Sequence, residues 1–195
     1  MRGFIFDLDG CVWTGDVLIP GAADVLALLR GQGRALTFLT NNSRARAATM
    51  QAKLERLGIQ AAVNEVLTPL EILGRVLDTH VGAASRVLAI GGPELEAAVV
   101  DGGHTLVPMD RYREAQAVVV GKPEPPLFEL ALARMGLTAE DAAMVGDSVD
   151  SDIRGARRVG LTAVFLAPKG GLDGVAHYMV KSMSQLRRLL ETYTP

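Results

Sequence analysis

Short continuous apolar runs alternate along the chain with segments whose apolar residues recur at helical spacing. Phe4-Ile5-Phe6, Ala35 to Thr40, Val63 to Leu67, Arg86 to Ile90, His104 to Val107, Ala117 to Val120, Ala142 to Gly146 and Leu161 to Leu166 read as strands, most of them buried on both faces. Between them lie helical stripes. Val25, Leu28 and Leu29 form the first, ending near Gly31 or Gly33. Ala47, Met50, Leu54 and Leu57 share one face of a helix from Arg44 to Leu57, with Gly58 as its stop and Asn41-Asn42-Ser43 as its cap. Further helices are predicted around Ile72 to Leu77, Glu94 to Val100, Leu127 to Met135, Ile153 to Val159 and Ser182 to Tyr193. Strands alternating with helices give an α/β fold with a doubly wound, Rossmann-like parallel sheet. One segment departs from the alternation: Cys11-Val12-Trp13, Thr14-Gly15-Asp16 and Val17-Leu18-Ile19 read as a tight hairpin flap beside the end of the first strand.

In such a sheet, residues at the carboxyl ends of different strands share one crevice. The first strand ends in Asp7-Leu8-Asp9-Gly10. At period 2 its two aspartates point to one side, where their like charges call for a cation or a retained proton. The second strand ends in Thr40, followed by Asn41-Asn42-Ser43, either a plain helix cap or an anion site at a helix amino terminus. Lys122 stands after Val118-Val119-Val120 and before Pro123. Gly146 is followed by Asp147, Asp150 and Asp152, a second acidic cluster. Carboxylates and one ammonium around an anion site suit Mg²⁺ and a phosphate together, because the metal takes oxygen ligands and the lysine offsets the remaining negative charge. His80, His104 and His177 have no ligand spacing, and Gly91-Gly92 lacks the lysine and hydroxyl of a phosphate loop, so it reads as a turn.

Composition narrows the partners. With 195 residues, 49% of them hydrophobic, the chain can bury one full core and a small second one. A net charge of −2 gives no broad basic field for nucleic acid or an anionic membrane, and no apolar run reaches the length of a membrane span. Cys11 is the single cysteine, which rules out an internal disulfide and fits a reducing cytoplasm.

Taken together, Asp7-Leu8-Asp9-Gly10, Leu39-Thr40-Asn41-Asn42, Gly121-Lys122-Pro123 and Gly146-Asp147 with Asp152 resemble, in order, the four motifs of the haloacid dehalogenase superfamily. The resemblance runs from Phe4 to Leu166. Ile19-Pro20-Gly21-Ala22 and Gly121-Lys122-Pro123-Glu124-Pro125 are similar to its class IIA branch, which includes NagD-like and para-nitrophenyl phosphatases. That resemblance implies a phosphoric monoester hydrolase. Asp7 would attack phosphorus to form an aspartyl-phosphate, and Asp9 would protonate the leaving oxygen and then activate water. Thr40 and Asn41 would bind phosphate, with Lys122 neutralising charge. The Asp7 side chain, the Asp9 carbonyl and Asp147 would hold Mg²⁺, and Asp152, in preference to Asp150, would support the metal from outside. It further implies a hydrolase core of residues 1–67 and 117–195 and, at 68–116, a reduced remnant of the branch's larger α/β (C2-type) cap. The implied partner is a small phosphorylated metabolite of nucleotide or sugar phosphate type, with no nucleic acid, no membrane and a homodimer as one way to cover the site. The alternative is a phosphate-binding or signalling receiver-like protein with little turnover, against which Asp9 argues.

Overall fold

The computed structural model describes residues 1–120, 126–170 and 174–192. Alternation of side chains decides its layers. In β1 (Gly3–Asp7) Phe4 and Phe6 enter one apolar cluster and Ile5 the other. The strand is buried on both faces, as expected for a parallel strand covered by helices. Its neighbours repeat the pattern. Leu36 and Phe38 of β4 (Ala35–Leu39) and Ala143 and Val145 of β9 (Ala142–Gly146) join Phe4 and Phe6, whereas Leu39 and Met144 join Ile5.

Among the described residues these strands belong to a six-stranded sheet completed by β5 (Val66–Leu67), β10 (Thr162–Leu166) and β11 (Tyr178–Val180). Its order is β11-β10-β9-β1-β4-β5, with every pairing parallel. Helices α1 (Ala22–Gly31), α2 (Ala47–Arg56) and α7 (Met183–Thr192) bring Val25, Leu29, Met50, Leu54 and Leu186 to one face. Helices α5 (Pro126–Met135) and α6 (Arg154–Arg158) bring Leu127, Phe128, Ala131 and Ala156 to the other. The chain winds outward from β1 in both directions, so β1 with β4 and β9 on either side is the switch point where an open α/β sheet places its crevice. The flap forms as read: β2 (Trp13–Thr14) and β3 (Val17–Leu18) pair antiparallel across Gly15-Asp16.

A second, smaller sheet of three parallel strands, β7-β6-β8, is built from β6 (Arg86–Ile90), β7 (Thr105–Leu106) and β8 (Ala117–Val120). Helices α3 (Leu73–Val81) and α4 (Pro93–Asp101) cover one face through Leu73, Leu77, Leu95 and Val99, packed on Val87. The opposite face leaves Ile90, Val118 and Val120 exposed. The run Ala117–Val120 was expected on the core side of a division at residue 117; its backbone instead pairs with β6, so this strand stands in the small sheet. The helix expected from Arg44 also differs: α2 begins at Ala47, and Asn41 to Ser43 form a loop instead of its cap.

The small layer is tied to the core at one corner. Glu71 accepts from the Thr68 N–H at 2.7 Å and, across the junction, from the Ala47 N–H that opens α2 at 3.1 Å. Arg46 reaches Asp101 and Glu94 on α4 at 2.7 and 3.5 Å. Within the layer α3 and α4 meet at Gly74 and Gly102, where a Cβ on Gly74 would lie 2.7 Å from the Gly102 Cα. The Gly74→Val variant should therefore push the two helices apart and lower stability by about 1–3 kcal/mol in urea denaturation. An unchanged midpoint would show that the helices do not meet there.

Candidate active site

The carboxyl ends of β1, β4 and β9 open into a cleft of about 330 Å³ lined by Asp7, Asp9, Thr40, Asn41, Asn42, Asp147, Ser148, Ser151 and Asp152. Strand register brings these together: β1 and β9 run side by side with Phe6 opposite Val145, so Asp7 and the Gly146-Asp147 turn emerge at the same level. Asp7, Asp147 and Asp152 each offer a carboxylate oxygen, and these atoms all lie within 4.8 Å of one another.

Each acid is held by local structure. Asp7 is the last residue of β1 and is 6% exposed. Gly10, at φ +85°, turns the chain immediately beyond it, and any Cβ there would collide with the Asp147 carboxylate. Asp152, 1% exposed, sits in a π-helical turn, Val149–Ile153, that precedes α6. Ser148 caps this turn, its hydroxyl accepting from the Ser151 N–H. The Asp152 carboxylate accepts from the Ser148 N–H and the Ser151 hydroxyl, both at 2.9 Å. Asp150 points away and pairs with Arg154 on the surface. Of the two aspartates beyond Asp147, Asp152 is therefore the one in the cluster.

Asp9 lines the same cleft as Asp7, though not as part of the strand. The strand ends at Asp7, and Asp9 is exposed in the following loop, where its Oδ1 accepts from the Trp13 indole N–H at 2.7 Å. The four-residue spacing of Asp9 and Trp13 across the start of the flap is the one sign of this contact in the sequence. Thr40, 2% exposed, directly follows β4 with its backbone N–H on the Leu67 carbonyl. Its hydroxyl accepts from the Asn42 N–H at 3.2 Å, while Asn42 Oδ1 accepts from the Arg44 N–H at 2.9 Å. The Thr40–Asn41 corner is thus a loop shaped by consecutive side-chain turns, not a helix amino terminus. Lys122, with Gly121 and Pro123, lies outside the described residues. Cys11 is buried beside the cluster, and burial first, then the nearby carboxylates, push its thiol far up, which leaves it inert.

Among the described residues no cationic side chain lines this cleft. Burial, and after it the Asp152 and Asp147 charges, push the Asp7 carboxyl up to about 9. Burial likewise raises Asp152 to about 6 despite its hydrogen bonds, and raises Asp147. Three acids pressed together hold protons unless a cation replaces them. The donor set fits Mg²⁺: it is all oxygen, and opposite ligands of an octahedral Mg²⁺ are about 4 Å apart, within the span of these carboxylates.

Comparison with known proteins agrees with this geometry. Residues 4–105 match the family model of the haloacid dehalogenase-like hydrolases, and residues 119–170 match a second model described as HAD-hydrolase-like. Human chronophin is 25% identical in an alignment of 277 residues that covers 97% of this chain and 93% of chronophin. Because the alignment is longer than the 195-residue chain, chronophin carries an interposed stretch that this chain lacks. A p-nitrophenyl phosphatase from Archaeoglobus fulgidus superposes with a TM-score of 0.77 at 19% identity, covering 96% of this chain and 98% of that one. A glycerol phosphate phosphatase from Mycobacterium tuberculosis, solved in complex with magnesium, superposes with a TM-score of 0.74 at 21% identity, covering 96% of this chain and 77% of that one. By the family model spanning more than half its length, and among relatives of the class IIA branch, the chain belongs to the haloacid dehalogenase-like hydrolase family.

Proposed function

We propose that the protein is a Mg²⁺-dependent phosphatase that hydrolyses monoesters of small phosphorylated metabolites through an aspartyl-phosphate on Asp7. The observation that carries this reading is the cluster of Asp7, Asp147 and Asp152, the first and last of them buried, which shares a cleft with Thr40 and has no cationic side chain in its lining among the described residues. Relatives that hydrolyse aryl and glycerol phosphates support the substrate class.

In the first half-reaction an Asp7 oxygen bonds to phosphorus, the bond from phosphorus to the ester oxygen breaks, and Asp9 gives that oxygen a proton. In the second, Asp9 takes a proton from water as the water oxygen attacks phosphorus. The bond to Asp7 then breaks and inorganic phosphate leaves. The Thr40 hydroxyl and the Asn41 backbone N–H hold phosphoryl oxygens, and Lys122 offsets charge on the nucleophile and the phosphate. Asp7, Asp147 and the Asp9 carbonyl would hold Mg²⁺, with Asp152 bracing them from the rear. Bound there, the ion supplies positive charge that lets Asp7 stay ionised and a phosphate dianion approach. We read the small layer, assigned from residue 68 onward, as a reduced cap that leaves the cleft open on its outer side.

Three outcomes test the proposal. Release of nitrophenolate from para-nitrophenyl phosphate should require Mg²⁺ and stop in EDTA; undiminished turnover in EDTA would reject the metal assignment. The Asp7→Asn variant should lose turnover by a factor of at least about 10³ and trap no phosphoryl group in acid-quenched samples, so near-normal turnover would place the nucleophile elsewhere. Stability should also depend on pH in a defined direction. The metal-free folded state holds protons on Asp7 and Asp152 up to about 9 and about 6, against 3.8 for an ordinary aspartate, so above that ordinary value it binds more protons than the unfolded chain. Its stability therefore falls as pH rises through this window. Tm in chelator should decline from about pH 5 to about pH 9, and Mg²⁺ should raise Tm most at the alkaline end. A flat profile in chelator would mean the three acids do not share the cluster.

A further inference from the structure

The bond between Trp13 and Asp9 is a strong polar contact of the cleft that the proposed chemistry leaves unused. Trp13 is 1% exposed, and its Nε1 lies 2.7 Å from Asp9 Oδ1. The loop that sets this geometry is tightly closed. The Leu8 carbonyl accepts from the Val12 and Trp13 N–H groups at 2.8 and 3.0 Å, and the Gly10 N–H donates back to the Trp13 carbonyl at 2.7 Å. Lys53, from α2, places its ammonium 4.5 Å from the centre of the indole ring, a cation–π contact. The same ammonium donates to the Gly15 carbonyl at 2.8 Å and lies 3.5 Å from Asp16, so α2 holds the flap at its first strand and at its turn. This is more fixing than a packing residue needs, and it ends at an aspartate oxygen.

We propose that Trp13 is a positioning residue that assigns the two oxygens of Asp9 separate tasks, with Oδ1 held by the indole and Oδ2 carrying the proton that is exchanged with substrate and water. The inference rests on the reading of Asp9 as acid and base. An indole N–H can only donate, so Oδ1 must present a lone pair to it whether Asp9 is ionised or protonated. A carboxyl's carbonyl oxygen accepts better than its hydroxyl oxygen, so the acid form favours the proton on Oδ2, and the bond to Trp13 persists through both halves of the reaction. Without it the carboxyl group can rotate, and the proton is shared between two oxygens of which only one can face the leaving group.

The protein contains a single tryptophan, so biosynthetic replacement of tryptophan by benzothienylalanine changes position 13 alone. That analogue keeps the bicyclic shape and puts sulfur where the N–H was, so the fold and the contact with Lys53 are retained. The readout is the ratio of kcat/KM for glycerol 3-phosphate to that for para-nitrophenyl phosphate. An alkoxide leaves only with a proton, whereas nitrophenolate leaves without one. The ratio should fall about tenfold in the analogue-containing protein and by about 10² or more in Asp9→Asn, with Trp13→Phe following the analogue. An unchanged ratio in the analogue beside a collapsed ratio in Asp9→Asn would overturn the positioning role and leave the proposed function standing. Equal losses on both substrates in Asp9→Asn would instead remove Asp9 as the acid, and the inference with it.

Discussion

Negative charge gathered at the ends of two adjacent strands is the constraint around which this molecule is built. β1 and β9 must be parallel neighbours for Asp7 to meet Asp147, and the turn after β9 must wind loosely, as a π-helical turn, to bring Asp152 back over them. Burying an ion costs several kcal/mol even after relaxation, so a sheet that merely needed a strand end would place an apolar or neutral residue there. The surroundings are arranged to tolerate the charge. A backbone N–H and a serine hydroxyl address Asp152, and Gly10 leaves room for the Asp147 carboxylate. Clustered buried acids are the kind of departure from ordinary packing that structures keep at sites of chemistry.

A second dependence runs from the cleft outward. The Thr40–Asn41 corner is followed within a few residues by Arg46 and Ala47, and these are the groups that hold α4 and Glu71 of the small layer. The loop that faces the acids and the junction to the small layer are therefore one continuous piece of chain. On the other flank, Lys53 of the same helix grips the flap. Helix α2 thus touches both walls of the cleft while packing its own apolar face, with Met50 and Leu54, into the core.

Much of this was legible in the sequence, for physical reasons that particular residues make plain. Runs such as Phe4-Ile5-Phe6 and Ala142 to Val145 are apolar on both faces, which only a covered parallel strand allows, so the sheet and the meeting of its strand ends could be read directly. Family motifs added the expected partners for each acid in order. What escaped were features set by tertiary contact. Tyr178–Val180 is a three-residue edge strand with no periodicity long enough to detect. Asn41-Asn42-Ser43 has the composition of a helix cap, but Glu71, far along the chain, supplies the acceptor for the first N–H of α2 and lets the helix start later. Val118-Val119-Val120 reads equally well as a strand of either sheet, and pairing with β6 decides between them. Asp9 reaches the same cleft as Asp7 from a loop, because the strand ends at Asp7, and its bond to Trp13 depends on how that loop closes.

The small sheet has a further consequence, for how the chain must behave before and after it folds. β8 stands at the edge of its sheet among the described residues, carries no charged side chain, and turns Val118 and Val120 outward beside Ile90. An uncharged aliphatic edge is a template on which another extended chain can add itself, and natural sheets guard such edges with lysine, bulges or a covering element. Among the described residues no charged side chain of β8 guards this edge, and the sheet is left with a sticky margin. During synthesis that margin is complete only after β6, some thirty residues earlier, has found its place. Intermolecular sheet growth, if it starts on this molecule, has a ready place to start at the aliphatic edge of Ile90, Val118 and Val120, away from the acidic cleft.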